Sequence, residues 1–462
     1  MCRKKGTPGP FPGQNLMHDS PTIDVRKLRI GLHVHLDLGW MEHPFPLNNF
    51  RISTEQQLET LRGLGLQRVR ISPQRSDSTT LQSLVGEGVL SAEAAGVEAP
   101  AAAAADAAAP PVAVVETPEA AERRLRREAL LAEQACAAQA ERHYSEAGRV
   151  LRRSFEVASS QPQAAREQTE AQVNGFLDKV LGAQEMAIRL LNEGAGDRGS
   201  MHAINVTVIS LLLGKQMELS KSEMFDLGTG AMLHDIGKIE LPDRVRWLDP
   251  LSPSVSSHER QFYQEHVSHG VTLGRKMTLS PGALLVLAQH HEYADGTGFP
   301  LKLGADRMSA AAKIVALVNR YDNLCNPATP ANALTPHEAL ALMYGQMKAK
   351  FDSAVFGAFV KMMGVYPPGS VVQLTDDRYG MVISVNSARP LKPCVLVHEP
   401  KQPRNEAVPL NLETTPTLGI RRSLKPQHLP RATLDYLSPR PRVCYFFERA
   451  RETGAVDSQG SA

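Results

Sequence analysis

Aromatic side chains and cysteine are scarce in this chain: aromatics make up 5% of it, and there are five cysteines in all. Cys2, Cys136, Cys325, Cys394 and Cys444 stand far apart, with no CxxC pair and no zinc-ribbon spacing. That excludes a disulfide scaffold and a thiolate zinc finger, and predicts reduced thiols in a cytosol. No run of about 18 apolar residues occurs, so no membrane span is expected. The opening MCRKKGTPGPFPGQ has basic residues but no apolar stretch behind them, so it does not read as a signal peptide. A formal charge of only +2 removes the bulk electrostatic case for a nucleic acid polymer or a membrane surface as partner. What remains is ample apolar material, 42% of 462 residues, for two or three domains with real cores.

Composition divides the chain. Residues 1–20 are rich in Pro and Gly. Residues 21–78 read as a small α+β domain: KLRIGLHVHL alternates as a strand does, STEQQLETLRGLG has a capping start at Ser53 or Thr54 and a C-terminal glycine, and QRVRIS is a second strand. Residues 79–116, with APAAAAADAAAPP, bury too little to fold and read as a linker. Thr117-Pro118-Glu119 opens a helix that should run towards Ser159 and break near Pro162, giving a helical spacer over 117–169. Its alanine-diluted heptads leave open a coiled-coil homodimer. A second helix is predicted to carry Val173, Phe176, Leu177, Val180, Ala187 and Leu191 on one stripe. Residues 170–363 form a helical domain with short loops. Residues 364–410 turn to strands in YPPGSVVQL, YGMVISV and CVLVHEP, and 411–462 is a Pro- and Arg-containing tail. The expected fold is mainly α: a helical bundle preceded by a small α+β domain and followed by a short β-rich segment.

Histidine carries the chemistry. Seven of 15 lie between 202 and 291: His202, His234, His258, His266, His269, His290 and His291. The gaps from 202 to 234, 234 to 266 and 266 to 290 each fit one helix and its connection, so successive helices can deliver one ligand apiece to a common centre. Alone, each histidine reads as a surface or satisfied core residue. As a set, they come with Asp235, Glu292 and Asp295 in Gly-punctuated segments. Imidazole with carboxylate suits Fe, Mn or Zn better than Mg. His258 reads as a loop residue and His269 as exposed.

The ordered stretches HDIGKIELP, EHVSHG and HHEYADGTGFP closely resemble the HD-GYP domain, the branch of the HD phosphohydrolases that hydrolyses cyclic di-GMP. The resemblance covers about residues 170–363 and implies an HD-type helical bundle. WMEHPFPLNNF resembles the small domain of unknown function often fused in front, and GVYPPGSVVQL the strand segment behind. The resemblance implies His202, His234, Asp235, His266, His290 and His291 as metal ligands, with Asp235 bridging two divalent ions, Fe or Mn. Lys238 matches the lysine that binds the scissile phosphate. Gly296, Gly298, Phe299 and Pro300 match the loop that approaches substrate, and Gly296 and Gly298 suit a tight turn of unusual φ. It further implies metal-assisted hydrolysis to pGpG or GMP, a cytoplasmic location, and diguanylate cyclase (GGDEF) proteins as candidate partners.

Three departures stand out. GYP is GFP here. Asn319 in VALVNRYDNLCNP occupies a position where the family has an aspartate ligand, with Asp322 at the second aspartate. The basic segment that usually follows is replaced by NPATPANALT, leaving Arg320 or Arg307 as substitutes. Arg198 stands where some members have a carboxylate for a third metal. These departures keep open two other readings: a cyclic di-GMP receptor or interaction protein of weak or no activity, and a hydrolase of another phosphoester.

Overall fold

A computed structural model describes residues 21–38, 45, 48–91, 117–182, 185–191, 197–249, 252 and 254–449. The Pro/Gly-rich start, most of the linker, most of WMEHPFPLNNF and the last residues of the tail lie outside them. Two compact units divide the chain between Thr117 and Pro118.

In the first unit, strands β1 (Thr22–Asp24), β2 (His33–His35), β3 (Asn49–Arg51) and β4 (Arg68–Ile71) form an antiparallel sheet in the order β1-β4-β2-β3. Helix α1 (Glu55–Gly63) starts where the Thr54 hydroxyl accepts from Gln57 N, and it buries Leu58 and Leu61. KLRIGLHVHL is not one strand. A 3-10 turn at Val25–Lys27 and a turn at Ile30–Gly31 leave only His33–His35 to pair. The domain also runs past residue 78. Helix α2 (Ser78–Gly86) puts Leu81 and Leu84, and then Leu90, into the core with Leu28, Val34, Ile52 and Ile71. The start of the expected linker is therefore folded, because its leucines recur at helical spacing.

The second unit begins with α3 (Pro118–Val157) and α4 (Pro162–Gly182), broken at Pro162 as its missing N–H requires. These helices are more than a spacer: Tyr144, Leu151, Val173, Phe176 and Val180 lie in the main core. The stripe of α4 ends at Val180. Ala187 belongs to strand β5 (Met186–Leu190), buried along its whole length, and Leu191 follows it. A continuous apolar run this short fits a buried strand as well as a helix, and tertiary pairing decides it.

The bundle follows in order: α5 (Arg198–Gln216), α6 (Lys221–Leu233), a 3-10 segment (Ile236–Glu240), α7 (Asp243–Arg246), α8 (Ser257–Lys276), α9 (Pro281–Gln289), α10 (Ala310–Cys325), α11 (Pro336–Gln346) and α12 (Ser353–Met363). Local signals set the starts. Capping boxes open α6 (Ser220/Glu223), α8 (Ser256/Glu259) and α11 (Thr335/Glu338), while Asp197, Ser280 and Ser309 cap α5, α9 and α10.

Strands β6 (Val371–Leu374), β7 (Tyr379–Asn386), β8 (Cys394–Val397), β9 (Leu410–Asn411) and β10 (Ile420–Leu424), helix α13 (Arg431–Leu437) and strand β11 (Tyr445–Arg449) complete the chain. The sheet runs β10-β6-β7-β5-β11, with β8 on β7 and β9 on β8. The division of 364–410 from 411–462 is not observed. Within the described residues the tail supplies two strands of the same sheet, and β11 pairs with β5 through Tyr445 opposite Leu190.

Candidate metal centre

Adjacent residues can converge on one point here because the helix stops between them and their predecessors. His234 is the C-cap of α6, and Asp235, at φ −96° and ψ 8°, opens the 3-10 segment. His290 repeats the device as C-cap of α9, with His291 next. His202 comes from the first turns of α5, and His266 from mid-α8. Gly237 makes the approach of the 3-10 segment to α8 feasible: a Cβ there would lie 2.0 Å from the His266 carbonyl oxygen and 2.4 Å from Gly270 N.

All six side chains are buried; Asp235, the least enclosed with His291, is 8% exposed. They form two groups that share Asp235: His202 and His234 on one side, His266, His290 and His291 on the other, with ligand atoms in each group within 4.8 Å of one another. The carboxylate divides between them. Its Oδ2 lies 3.7 Å from His202 Nε2 and 3.5 Å from His234 Nε2; its Oδ1 lies 3.6 Å from His266 Nε2 and 3.8 Å from His290 Nε2.

The other ring nitrogens fix the tautomers. His234 Nδ1 donates to Ala231 O (2.7 Å), His266 Nδ1 to Tyr263 O (2.6 Å) and His290 Nδ1 to Leu287 O (2.9 Å), each a carbonyl three residues back. His202 Nδ1 donates to Asp322 Oδ2 at 2.6 Å. With the proton on Nδ1, a neutral imidazole presents a bare lone pair at Nε2. Yet the Nε2 atoms of His202 and His234 are 3.2 Å apart, as are those of His266 and His290. Burial keeps four of the rings neutral: it pushes His234 down to about 4 and His266 to about 3, and holds His290 and His291 well below the usual histidine range. Lone pairs facing each other at that distance repel unless a cation lies between them. Asp235 Oδ1 and His291 Nε2 are buried with no hydrogen-bond partner among the described residues. The donor set therefore fits divalent metal; about 2.0–2.2 Å bonds to one ion would leave its ligand atoms roughly 3 Å apart.

Asp235 is ionised. Burial opposes its charge, but Lys238, with Nζ 2.6 Å from Oδ2, outweighs that and holds it well below the carboxylate range. Lys238 is itself buried, and Asp235 keeps it charged despite that burial. Its Nζ lies 5.1 Å from the Tyr263 ring centre and 5.7 Å from that of Trp247.

The structure treats the remaining sequence candidates differently. Asn319 lies on the wall of a cavity of about 290 Å³ shared with His290 and His291, but its Oδ1 already accepts from Asn323 Nδ2 at 2.6 Å. Of the loop 296–300, Gly296 has the left-handed φ of 72° that the sequence suggests. Gly298 instead serves close packing, since a Cβ would lie 2.5 Å from the His291 carbonyl oxygen. Phe299 stacks on His291 at 4.4 Å, and Pro300 follows a cis peptide. Neither these four residues nor Arg307 line that cavity, and Phe299 of the loop braces His291. Glu292 holds the loop by accepting from Leu301 N and Leu303 N. His258 lies in the first turn of α8 rather than in a loop, and His269 is half-buried. Arg320 reaches the cavity but is paired with Asp249 at 3.3 Å.

Sequence reasoning missed what orients His202. Asp322 Oδ1 also accepts from Asn205 Nδ2 (2.8 Å) and Asn326 Nδ2 (2.9 Å). Both amides bond the backbone of the β11 approach: each donates to Val443 O, Asn326 Oδ1 accepts from Val443 N, and Asn205 Oδ1 accepts from Tyr445 N. The spacing held a clue, Asn205 one turn after His202 and Asn326 one turn after Asp322, but their shared partner is more than a hundred residues away.

A helical bundle with a buried His/Asp centre divided by one carboxylate defines a hydrolase of the HD class. A family model described as "HD domain" matches residues 158–355, and one described as "Domain of unknown function (DUF3391)" matches residues 20–169. The chain thus carries an HD domain with a DUF3391 domain in front. It is similar to the cyclic di-GMP phosphodiesterase PA4108 of Pseudomonas aeruginosa, 27% identical over 389 residues that cover 81% of this chain and 84% of that one. The response regulator RpfG of Xanthomonas campestris, also named a cyclic di-GMP phosphodiesterase, is 32% identical over 32% of this chain and 39% of its own length. A phosphodiesterase of Vibrio cholerae named as specific for 3'3'-cGAMP is 26% identical over 36% of this chain and 35% of its own. Among the described residues no helix is long and apolar enough to cross a membrane.

Proposed function

We propose that this protein is a metal-dependent phosphodiesterase that hydrolyses cyclic di-GMP to pGpG or GMP. The observation that carries it is the pair of Nε2–Nε2 approaches at 3.2 Å on either side of the Asp235 carboxylate. His202, His234 and Asp235 would hold one divalent ion, and Asp235, His266, His290 and His291 a second; Fe or Mn suits this mixture of imidazole and carboxylate. Asn319 joins them only by giving up the hydrogen bond from Asn323. Bound ions would supply Lewis-acid polarisation of the phosphate oxygens and a water of lowered pKa.

The chain's own part is electrostatic and positional. Lys238, charged and enclosed, neutralises the scissile phosphate as its negative charge grows. Carbonyls of α6, α8 and α9 fix three imidazoles as Nε2 donors, and Asp322 fixes the fourth. Phe299 holds His291 by stacking. The cytoplasmic location, the GGDEF partners and the homodimer belong to the same reading as proposals.

The test is metal content of anaerobically purified protein with turnover of cyclic di-GMP, 3'3'-cGAMP and a nucleoside triphosphate in the same sample. About two ions per chain with preferential cleavage of cyclic di-GMP is expected. Preference for 3'3'-cGAMP would move the substrate assignment, and tight nucleotide binding without turnover would make the protein a receptor.

A further inference from the structure

The family's basic segment after the Asp322 helix is absent, and the wall that replaces it, Asn323 to Asn332, brings no cation to the cavity. A ring closed by two phosphodiesters carries two negative charges on opposite sides. Lys238 and the His/Asp centre serve the one that is cut, so the other needs a counter-charge from elsewhere.

Arg198 reaches that cavity without a carboxylate partner among the described residues, and Arg442 is near enough to act on its charge. Arg198, one turn before His202 on α5, lines the cavity and lies over the Trp247 ring, 4.8 Å from its centre. Among the described residues its one hydrogen bond is to the Asn326 carbonyl at 3.4 Å. The Asn326 side chain in turn accepts from Val443 N at 2.9 Å, which brings Arg442 beside it. Among the described residues neither arginine has an ion pair. The nearest carboxylates are committed, Asp322 to His202 and two amides, and Asp235 to Lys238. Burial and then the charge of Arg442 both disfavour the cation at Arg198. Two half-buried like charges, one over a ring and one in the pinned segment before β11, are held together at a standing cost that a bound anion would remove.

We propose that Arg198 and Arg442 form an anion subsite that holds the uncut phosphodiester of a cyclic dinucleotide, with the segment before β11 supplying the charge that the missing basic segment supplies in relatives. The proposal rests on the phosphodiesterase reading above. It makes residue 442 a specificity determinant for two-phosphate substrates.

The experiment compares cyclic di-GMP with bis(p-nitrophenyl) phosphate, which has one phosphate, in wild type, Arg198→Ala, Arg442→Ala and Arg442→Lys. The ratio of kcat/KM for the two substrates is expected to fall about tenfold in each alanine variant, chiefly through the KM of the dinucleotide, since each loses one charge-assisted contact. Arg442→Lys should recover most of the loss, and the KM of wild type should be the more sensitive to added salt. Because the Arg442 side chain makes no hydrogen bond among the described residues, its removal leaves the strand pinned through its backbone. An unchanged ratio in both alanine variants would overturn the subsite. Wild type that cleaves neither diester would overturn the phosphodiesterase reading instead; calorimetric binding of cyclic di-GMP to wild type and Arg442→Ala then decides the subsite, an equal Kd refuting it and about a tenfold weaker Kd in the variant supporting it.

Discussion

The bundle and the sheet of the second unit are built by opposite means. The helices α5, α6, α8, α9, α10 and α11 are each announced at their start by a capping side chain or a capping box, and the candidate histidines sit on or at the end of α5, α6, α8 and α9. The sheet has no such local logic. Strand β5 follows the second helix of the unit, its partner β11 closes the described chain, and Arg189 on β5 reaches Glu448 across 259 residues of sequence. The bundle supplies all the candidate ligands; the sheet supplies none, yet its last strand is bonded to the amides that hold Asp322. What the contrast teaches is that a centre made of local motifs can depend for its alignment on the least local part of the fold.

The strongest way to break that comparison is at the motif itself. Replacing His234 and Asp235 together by Ala removes one ligand of one group and the carboxylate common to both. Turnover below about a thousandth of wild type, and loss of bound metal by elemental analysis, is expected with helix content by circular dichroism nearly intact. Retained turnover would remove Asp235 from the mechanism.

On the sheet side the largest effect is on stability. Arg189, 3% exposed, is held between Glu133 of α3 and Glu448 of β11, and burial, its largest opponent, is outweighed by those two carboxylates. Arg189→Ala leaves two carboxylates facing each other in the interior, so a loss of about 3–5 kcal/mol in urea unfolding is expected. Arg189→Met with Glu133→Gln and Glu448→Gln should recover much of it. A cost under about 1 kcal/mol for Arg189→Ala would show that the tie is not what holds the sheet to the bundle.

The two regions differ in legibility for the same reason. HDIGK, HVSHG and HHE…GFP are contiguous, so the helical fold and the set of candidate ligands that cluster in it could be read from the sequence. Gly237 and Gly270 were visible as letters, but their reason, a backbone approach between two elements, was not. Ala187 was read as helix because a buried strand of five residues has no period of its own. The tail was unreadable because its strands are specified by partners far upstream. The loop at 296–300 was matched to substrate by its letters; that its Phe299 stacks on His291 was not legible there.

Asp322 is where the two regions meet, and Asp322→Asn sharpens the comparison without emptying the core. The amide can still accept from Asn205 or Asn326, but it no longer offers a charge to His202 Nδ1. A fall of about 10- to 100-fold in metal affinity, measured by competition with a chelator, is expected, with unfolding little changed. Asn205→Ala with Asn326→Ala, which cuts both links to the β11 approach and leaves the aspartate, should give a smaller effect in the same direction. If the second variant leaves affinity untouched, the sheet merely covers the centre.

The smallest expected effect uses a histidine outside the centre. His33 in β2 has its Nδ1 buried without a hydrogen-bond partner, and the charges around it, His35, Arg75 and Arg51, are all basic. Burial first, then those neighbours, push it down to about 4. The folded value lies below the unfolded one of about 6.5, so protonation favours the unfolded chain. The first unit should keep its full stability above about pH 6.5 and lose part of it as pH falls towards 4, where the loss levels off. The buried histidines of the centre differ in having an ionised Asp235 among them, and in proton-fixing carbonyls that direct their lone pairs to it. Amide exchange at Val34 and Ile71, corrected for its intrinsic pH dependence, should therefore speed up at pH 5 in wild type and less so in His33→Gln. Equal acceleration in both would mean that burial of an imidazole without a counter-charge is not what makes this sheet acid-sensitive.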